Sequence, residues 1–287
     1  MSWVAVARKD FRDAIRSRMF WALAIVFGLL SIGIGGAYGY FTDELARSVP
    51  ANEAGIGLVF FVQSPITIFI MFISAIICHK SIVGEWEQGS LKLLLSLPHT
   101  RSDVILGKIV GRAGVISVPA IGSLVLGLGL GAALLGGSVL TSVDFLAVAA
   151  GFLVAILVYI ALYVSIFVGV SAITRSSSLA VAGSVALIVL QFFWSIILSI
   201  LFILLESTFD ISGNADWMYL LRMLMPNTAF NEVLNASLSA MTEWPLSANA
   251  GDIDAVYASP WVAAVILVLW IVVPVAIGYW RFESADL

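Results

Sequence analysis

The chain has 287 residues, of which 61% are hydrophobic and only 11% are charged, and its formal net charge is −4. Soluble domains carry about 25% charged residues, so this composition excludes an ordinary soluble protein. Nucleic-acid binding would require a basic domain, which the sequence lacks, and we expect no nucleic-acid partner. The single cysteine, Cys78, precludes an internal disulfide.

The first segment, residues 1–18, has the pattern of an amphipathic helix. Its apolar side chains fall within about 120° of a helical wheel: Trp3, Val4, Ala7, Phe11, Ala14 and Ile15. The other side carries Arg8, Lys9, Arg12 and Arg16. This pattern predicts an interfacial helix whose basic face meets anionic headgroups. A generic surface helix and a docking element for a cytoplasmic partner both remain open.

Six long apolar runs follow. The first, residues 19–41, is uncharged and as a helix would measure about 34 Å, against a hydrocarbon core of about 30 Å. It lacks a short h-region and an A-x-A cleavage site, so we expect it to be retained. The other runs cover residues 56–79, 109–136, 145–174, 179–205 and 261–280. We therefore predict an all-α integral membrane protein with six transmembrane helices, forming a single domain over residues 1–287.

Two loops of this arrangement are large. Residues 80–108 form a loop on the side of the N-terminus. Residues 206–260 form a loop on the opposite side, before the last span. This second loop contains two apolar stretches, residues 217–225 and 229–241, which are too short to cross a bilayer. They predict paired short helices that either dip into the outer leaflet or lie over the bundle.

The distribution of basic residues predicts the orientation in the membrane. Twelve Lys and Arg residues fall on the side of the N-terminus, whereas Arg47 and Arg222 fall on the other. The positive-inside rule therefore places both termini in the cytoplasm of a multi-pass plasma-membrane protein. Most acidic residues lie outside. That exterior fits a salt-rich habitat, but a GC-rich genome would equally favour arginine over lysine.

The sequence lacks chemistry that could energise transport or catalysis. No acidic residue or histidine lies in the middle of a span, where proton-coupled carriers normally need one. There is no Gly-x-x-x-x-Gly-Lys-[Ser/Thr] phosphate loop. His79 and His99 have no evident second set of metal ligands. We expect no catalytic residue, metal or cofactor in this chain. Copper binding and interfacial packing remain alternatives for a methionine group on the external loop: Met218, Met223 and Met225.

The loop after the second span contains a leucine-rich segment. It carries more apolar side chains than a solvated turn tolerates: Leu91, Leu93, Leu94, Leu95 and Leu97. They require a covering surface, which is the membrane interface, the base of the bundle or a partner protein. Gly89-Ser90 predicts the start of a short helix that Pro98 ends. Thr100-x-x-Asp103 is a capping box that predicts the start of the helix leading into the third span.

This segment resembles the corresponding loop of ABC type-2 exporter permeases. The resemblance is most detailed for the branch that includes the permease of the nitrous-oxide reductase copper-maturation system. The family pattern is a Glu, Gly-[Ser/Thr]-Leu, a leucine run, Ser-x-Pro, an Arg and Gly-Lys. It falls here on Glu85, Gly89-Ser90-Leu91, Leu93 to Leu95, Ser96-Leu97-Pro98, Arg101 and Gly107-Lys108. The layout of helices and loops agrees over the whole chain.

The resemblance implies a non-enzymatic transport subunit, in which Glu85 to Leu97 form a coupling helix seated in a groove of a cytoplasmic ATPase subunit. The residues expected to couple to the ATPase are Glu85, Glu87, Gly89, Ser90, Leu91, Leu93, Leu94, Leu95, Ser96, Pro98 and Arg101. Two permeases, identical or paralogous, and two ATPases would form the working unit. ATP and Mg²⁺ would bind to the ATPases, and an external cargo-binding protein is a further candidate partner.

By the same resemblance, spans two and five would line the translocation path. Their candidate residues are Gln63, Ser64, Thr67, Gln191 and Trp194, with ordinary helix packing as the alternative for each. An apolar lining favours an amphiphilic, lipid-linked or hydrophobic substrate, whereas a sulfur- or copper-related cargo follows from the branch alone. Two other functions remain open. One is a membrane-embedded enzyme using Glu206, Asp210 and Asp216, and the other is a membrane anchor or assembly factor for an external metalloprotein.

Overall fold

The computed structural model describes residues 3–46, 51–89, 100–209, 216–241 and 259–283, and these ranges contain helices and no strands. The helices are α1 (Trp3–Ile15), α2 (Arg18–Ala46), α3 (Ala51–Cys78), α4 (Val83–Glu87), α5 (Arg101–Leu135), α6 (Gly137–Leu140), α7 (Val143–Ile173), α8 (Ser177–Phe209), α9 (Asp216–Met223), α10 (Pro226–Ser239) and α11 (Pro260–Glu283). Six are long and apolar enough to cross a membrane: α2, α3, α5, α7, α8 and α11. The predicted fold class is confirmed.

The third spanning helix begins earlier than its apolar run. We expected the span to begin at residue 109, but α5 begins at Arg101. The capping box explains this start. The Thr100 hydroxyl accepts from the Asp103 backbone N–H at 3.2 Å, and the Asp103 carboxylate accepts from the Thr100 N–H at 3.1 Å. These two bonds satisfy amides that have no acceptor within the helix, so the helix extends below the apolar run.

Two helices, α5 and α7, form the centre of the bundle. α5 contacts α1, α2, α3 and α7, and α7 contacts α3, α10 and α11 as well. By contrast, only 6% of the residues in the most apolar stretch of α8 are buried, against 56% for α3. The fifth span therefore lies at the edge of the bundle and leaves an apolar surface uncovered.

Backbone contact between α2 and α5 depends on glycines. A Cβ atom built on Gly35 would lie 2.2 Å from the carbonyl oxygen of Gly127, and one built on Gly127 would lie 2.3 Å from that of Ser31. One turn further, Gly39 and Gly131 meet in the same way. These are two of the Gly-x-x-x-Gly pairs of the sequence. Such pairs allow close helix approach in membranes, where dispersion contacts supply much of the packing energy.

The short helices α9 and α10 of the second loop insert into the bundle. Asn227 lies at the start of α10, and its side-chain oxygen accepts from the hydroxyl of Tyr159 at 3.0 Å, near the middle of α7. One turn later, Asn231 accepts from Gln63 Nε2 at 2.9 Å, near the middle of α3. α10 therefore inserts between the spanning helices and does not merely lie over the end of the bundle. The start of α10 reaches about half the height of the bundle.

Candidate functional site

The short helix α4 stands between the second span and the leucine-rich segment. Its preceding residue, Ile82, provides no side-chain cap. Instead, the hydroxyl oxygen of Ser171, at the end of α7, accepts from the backbone N–H groups of Ile82 at 3.0 Å and Val83 at 3.2 Å. Amides in this position have no acceptor within their own helix. The fourth span thus holds the start of α4.

Glu85 connects α4 to the third span. The ammonium group of Lys108 donates to Glu85 Oε1 at 2.7 Å. The Lys108 side chain is only 2% exposed, while that of Glu85 is 30% exposed. Burial lowers the effective dielectric constant and strengthens the attraction between the two charges. It also makes the loss of either partner expensive, because the remaining charge would be buried alone.

The same lysine connects to the interfacial helix. Asp10 of α1 lies with Oδ1 3.8 Å from Lys108 Nζ and Oδ2 2.8 Å from Arg112 Nε. Arg112 also donates to the carbonyl of Ile77 in α3 at 3.4 Å. Arg112 lies near the start of the apolar run of residues 109–136, where a long side chain can reach the membrane interface, and Asp10 of α1 is its anionic partner at that level.

Glu87 connects α4 to the fifth span. Its carboxylate accepts from the backbone N–H of Ser177 at 2.8 Å and from the Ser177 hydroxyl. Ser177 begins α8, where unpaired amides and the helix dipole favour a negative charge. These two hydrogen bonds hold the pKa of the Glu87 carboxyl below its ordinary value. The contact therefore favours the ionised form of Glu87.

Arg101 connects the third span to the sixth. Its guanidinium donates to the carbonyl oxygens of Phe282 and Glu283 at the end of α11, the second at 2.6 Å. The same group stands 5.4 Å from the centre of the Phe282 ring. A cation is well placed at the carbonyl end of a helix, where the last acceptors are unpaired. Glu87 and Arg101 thus each hold the end of another helix, whereas Glu85 pairs with Lys108 two turns inside α5.

Most of the remaining coupling candidates follow α4 directly in the chain. Gly89 has φ +69°, a left-handed conformation that suits glycine and ends α4 two residues after Glu87. The resemblance implied one continuous helix from Glu85 to Leu97, but the chain leaves the helical conformation at Gly89. The other candidates lie outside the described residues: Ser90, Leu91, Leu93, Leu94, Leu95, Ser96 and Pro98. We call the contacts of α4, Asp10, Arg101, Lys108 and Ser177 the helix junction.

The candidates for a translocation path have a different environment. Gln63 and Thr67 are buried in α3, and Ser64 is exposed. Gln63 binds Asn231, as described above, and the Thr67 hydroxyl donates to the carbonyl oxygens of Gln63 and Ser64, both at 3.0 Å. These three residues therefore lie on one stretch of α3 but do not share one surface.

The two candidates in α8 also contact neighbouring helices. The Gln191 side-chain oxygen accepts from the hydroxyl of Tyr163 in α7. Trp194 Nε1 donates to the carbonyl of Leu221 in α9 at 2.8 Å. Gln63 and Trp194 thus hold the inserted helices α9 and α10 in place.

An apolar groove runs between α3 and α8 on the outside of the bundle. It has a volume of about 400 Å³, and its principal lining residues are Phe72, Ile76, Val185, Ile188, Val189 and Phe192. The imidazole of His79, at the end of this groove, hydrogen-bonds the Ala75 carbonyl of its own helix at 2.9 Å. Across the described ranges, no three His, Cys, Asp or Glu side chains gather where they could hold a metal ion.

Several residues of the junction escaped the sequence analysis. Asp10 and Ser177 lie far along the chain from α4, and nothing in local spacing pairs them with it. Lys108 was noted only as part of the Gly-Lys motif. A usable signal was present, since Lys108 directly precedes an apolar run and a lysine there needs either water or an anionic partner. Asn227 and Asn231 carried no such signal.

Comparison with known proteins agrees with this architecture. The family described as "ABC-2 family transporter protein" matches residues 4–287. Two relatives, from Stutzerimonas stutzeri and Pseudomonas aeruginosa, are each described as "Probable ABC transporter permease protein NosY" and are 32% identical over 114 residues. These alignments span 39% of this chain and 39% of each relative. Because the family match covers nearly the entire sequence, the chain belongs to the ABC-2 family of transporter proteins.

Proposed function

We propose that the chain is the permease subunit of an ATP-binding-cassette exporter, driven by a separate cytoplasmic ATPase. Two permeases and two ATPases form the working unit, and both termini of each permease lie in the cytoplasm. The ATPases hold ATP and Mg²⁺. The leucine-rich segment of residues 90–98 docks on the ATPase, since its apolar side chains require a covering surface.

The observation that carries this proposal is the convergence of helices on α4. This five-residue helix is bonded to Lys108 two turns inside α5, to the end of α7 and to the start of α8, and it follows α3 after a short turn. It directly precedes the leucine-rich segment. A displacement applied at that segment would therefore reach four of the six spanning helices within one helical turn. A passive anchor would not need such a junction.

The transport step follows from this linkage. Closure of the two ATPases on ATP displaces the leucine-rich segment, and the junction carries the displacement to α3 and α8. The bundle then shifts between inward-facing and outward-facing arrangements, with nucleotide selecting between them. α9 and α10 close the outer end in the arrangement described here, and their contacts with Gln63 and Trp194 must break for release. The apolar groove between α3 and α8 suits an amphiphilic or hydrophobic cargo.

The decisive experiment measures ATP turnover of the chain with a co-expressed ABC ATPase from the same genome, in lipid nanodiscs. We expect the two proteins to co-purify, and Glu85→Ala and Leu94→Asp to reduce turnover relative to the unmodified complex. Gly122→Ala is a matched control, since a Cβ at Gly122 meets nothing within 4 Å. If Glu85→Ala and Leu94→Asp both assemble and hydrolyse ATP as the control does, the coupling assignment is wrong.

A further inference from the structure

The helix α1 presents a continuous basic surface away from the rest of the protein. This surface, which we call the basic face, consists of four exposed side chains: Arg8, Lys9 and Arg12 of α1 and Arg16 of the turn that follows it. At about 100° per residue the three side chains of α1 fall within an arc of about 100°, opposite the buried Val6 and Ala7. No acidic side chain in the described ranges forms an ion pair with any of the four.

Two connections fix the level of α1 at a membrane boundary. Residues 16 and 17 alone separate α1 from α2, whose apolar run begins at Met19. On the opposite side of α1, Asp10 pairs with Arg112, near the point where the apolar run of α5 begins. The basic face thus lies beside the entry points of two spanning helices. Charges at this level act on lipid headgroups within about one Debye length, ~8–10 Å.

The two flanks of the basic face differ in polarity. On one flank lies Val4, which is 40% exposed, while Phe11 and Ile15 beside it pack against the hydrophobic core of the bundle. On the other flank lies Asp13, which is exposed. An interfacial helix turns its apolar flank toward the acyl chains and its acidic flank toward water. In that orientation the arginine side chains extend along the layer of headgroups.

We propose that the basic face binds the anionic phospholipid headgroups of the adjacent leaflet, and that this contact positions Glu85 in the helix junction. The second part rests on the proposed function. The occupant is a lipid because the face is cationic, lies at the membrane boundary and borders an exposed aliphatic side chain. Arginine and lysine hold phosphate groups by charge-assisted hydrogen bonds.

Close packing provides the route from α1 to Glu85. A Cβ atom built on Gly107 of α5 would lie 2.6 Å from Val6 Cβ, so the two helices have no space in which to slide independently. Asp10 of α1 lies near Lys108, and Lys108 holds Glu85 at 2.7 Å. A lipid contact that fixes α1 therefore also fixes the charge partner of Glu85.

The first experiment measures lipid preference on the full-length protein. The chain is reconstituted in nanodiscs of equal phosphatidylcholine and phosphatidylglycerol, and the lipids retained after purification are quantified by mass spectrometry. The glutamine variant replaces the whole face: Arg8→Gln, Lys9→Gln, Arg12→Gln and Arg16→Gln. We expect the enrichment of phosphatidylglycerol to fall about tenfold, because each basic residue near a surface contributes to anionic-lipid attraction. A variant with lysine at all four positions is the matched control and should retain the enrichment.

The second experiment measures ATP turnover of the complex with its ATPase in phosphatidylcholine alone and with phosphatidylglycerol. We expect phosphatidylglycerol to raise turnover of the unmodified and lysine-face complexes, and to have no effect on the glutamine variant. Asp10→Asn separates lipid binding by the basic face from the effect of that binding on Glu85. This variant should keep the enrichment of phosphatidylglycerol, and that result would also show that α1 is folded. Its ATP turnover should no longer respond to phosphatidylglycerol.

The outcomes are distinguishable. Equal phosphatidylglycerol enrichment in the glutamine variant and the unmodified chain would overturn the proposal. So would loss of ATPase binding by the glutamine variant in both lipids, since the face would then be a protein-docking surface. An unchanged lipid response in Asp10→Asn would overturn the route to Glu85. Failure of the chain to bind any ATPase would instead contradict the proposed function, and the enrichment experiment would still test the lipid contact.

Discussion

At the scale of single residues, Lys108 shows how a charge can be kept inside a membrane protein. Its ammonium group is 2% exposed, and two carboxylates, Glu85 and Asp10, lie within 3.8 Å of it. Arg112 shares Asp10, so two cations and two anions form one compact group. A buried ion pair contributes less to stability than its attraction suggests, because both partners lose their hydration. Its role here is to fix the relative positions of α1, α4 and α5, because the four side chains belong to these three helices.

Replacing Lys108 tests how much its ion pairs contribute to the stability of the fold. Lys108→Met keeps the length of the side chain but leaves Glu85 and Asp10 without their shared cation. We expect the free energy of unfolding to fall by about 2 kcal/mol, below the ~3–5 kcal/mol typical of fully buried pairs because Glu85 is 30% exposed. The measurement is the midpoint of thermal unfolding in detergent, with Lys108→Arg as the control that keeps the charge. An unfolding midpoint of Lys108→Met equal to that of the unmodified chain would contradict this expected loss of stability.

Glu87 provides a pH-dependent contact at the same junction. Its pKa is lowered in the folded protein by the hydrogen bonds from Ser177, so the unfolded state takes up a proton first as the pH falls. The contact therefore stabilises the fold fully above the unfolded value of about 4.3, and this contribution is lost as the pH falls through the lower folded pKa. We expect Glu87→Gln to reduce the unfolding midpoint at neutral pH, and the difference from the unmodified chain to shrink under acid. A difference that stays constant from neutral to acid pH would exclude this role.

At the scale of helices, close contact along α5 organises the first half of the chain. α1 packs on Gly107 and Gly111, and α2 packs on Gly127 and Gly131, so α5 presents a row of glycines to both. A Gly-x-x-x-Gly pair in a sequence indicates close helix packing but does not identify the partner helix. The partner could not be predicted, because any smooth helix surface accepts a glycine pair and only the three-dimensional arrangement selects one.

The α2–α5 crossing gives a test with an internal control. Gly127→Ala would place a Cβ 2.3 Å from the carbonyl oxygen of Ser31, so the helices must separate. We expect the free energy of unfolding to fall by about 1–3 kcal/mol, as in other overpacked cores. Gly129→Ala, on the same helix, meets nothing within 4 Å and should be neutral or stabilising because alanine favours helix. Equal unfolding midpoints for the two variants would show that the crossing is not close.

The short helices are the part of the fold that sequence reasoning left ambiguous. Apolar stretches at residues 217–225 and 229–241 predicted that these helices exist. The depth to which they insert into the bundle depends on hydrogen-bond partners elsewhere in the chain. Gln63 of the second span was predicted as a candidate for the translocation path, and Tyr159 appeared as an ordinary residue of the fourth span. Their hydrogen bonds to Asn227 and Asn231 become visible only when the helices are assembled. Spans follow from local composition, whereas an inserted loop depends on contacts between distant residues.

At the scale of the whole molecule, burial is distributed unevenly. α5 and α7 contact helices on several sides, while α8 contacts the bundle at its start, through Ser177 with Glu87, and near its middle, through Gln191 with Tyr163 and Trp194 with Leu221. Its long outer surface carries exposed aliphatic and aromatic side chains: Val185, Val189, Phe192, Phe193 and Ile196. Lipid can cover such a surface. A helix that is tied to the helix junction at its start and to α7 and α9 near its middle is nevertheless well placed to contact a second copy of the chain.

That placement leads to a prediction about assembly. If two copies meet along α8, a twofold axis brings the same residue of each copy together, and a cysteine on the exposed stripe can bridge them. We expect oxidation of membranes containing Val189→Cys to yield a disulfide-linked dimer on non-reducing gels. Val268→Cys, which is equally exposed on α11, is the control and should remain monomeric, as should the parent chain with its buried Cys78. Neighbouring positions on the stripe, Val185 and Ile196, should cross-link to lesser extents that depend on their distance from the axis. A dimer formed through Val268→Cys but at none of the α8 positions would place the contact between copies on α11, and the groove between α3 and α8 would then face lipid.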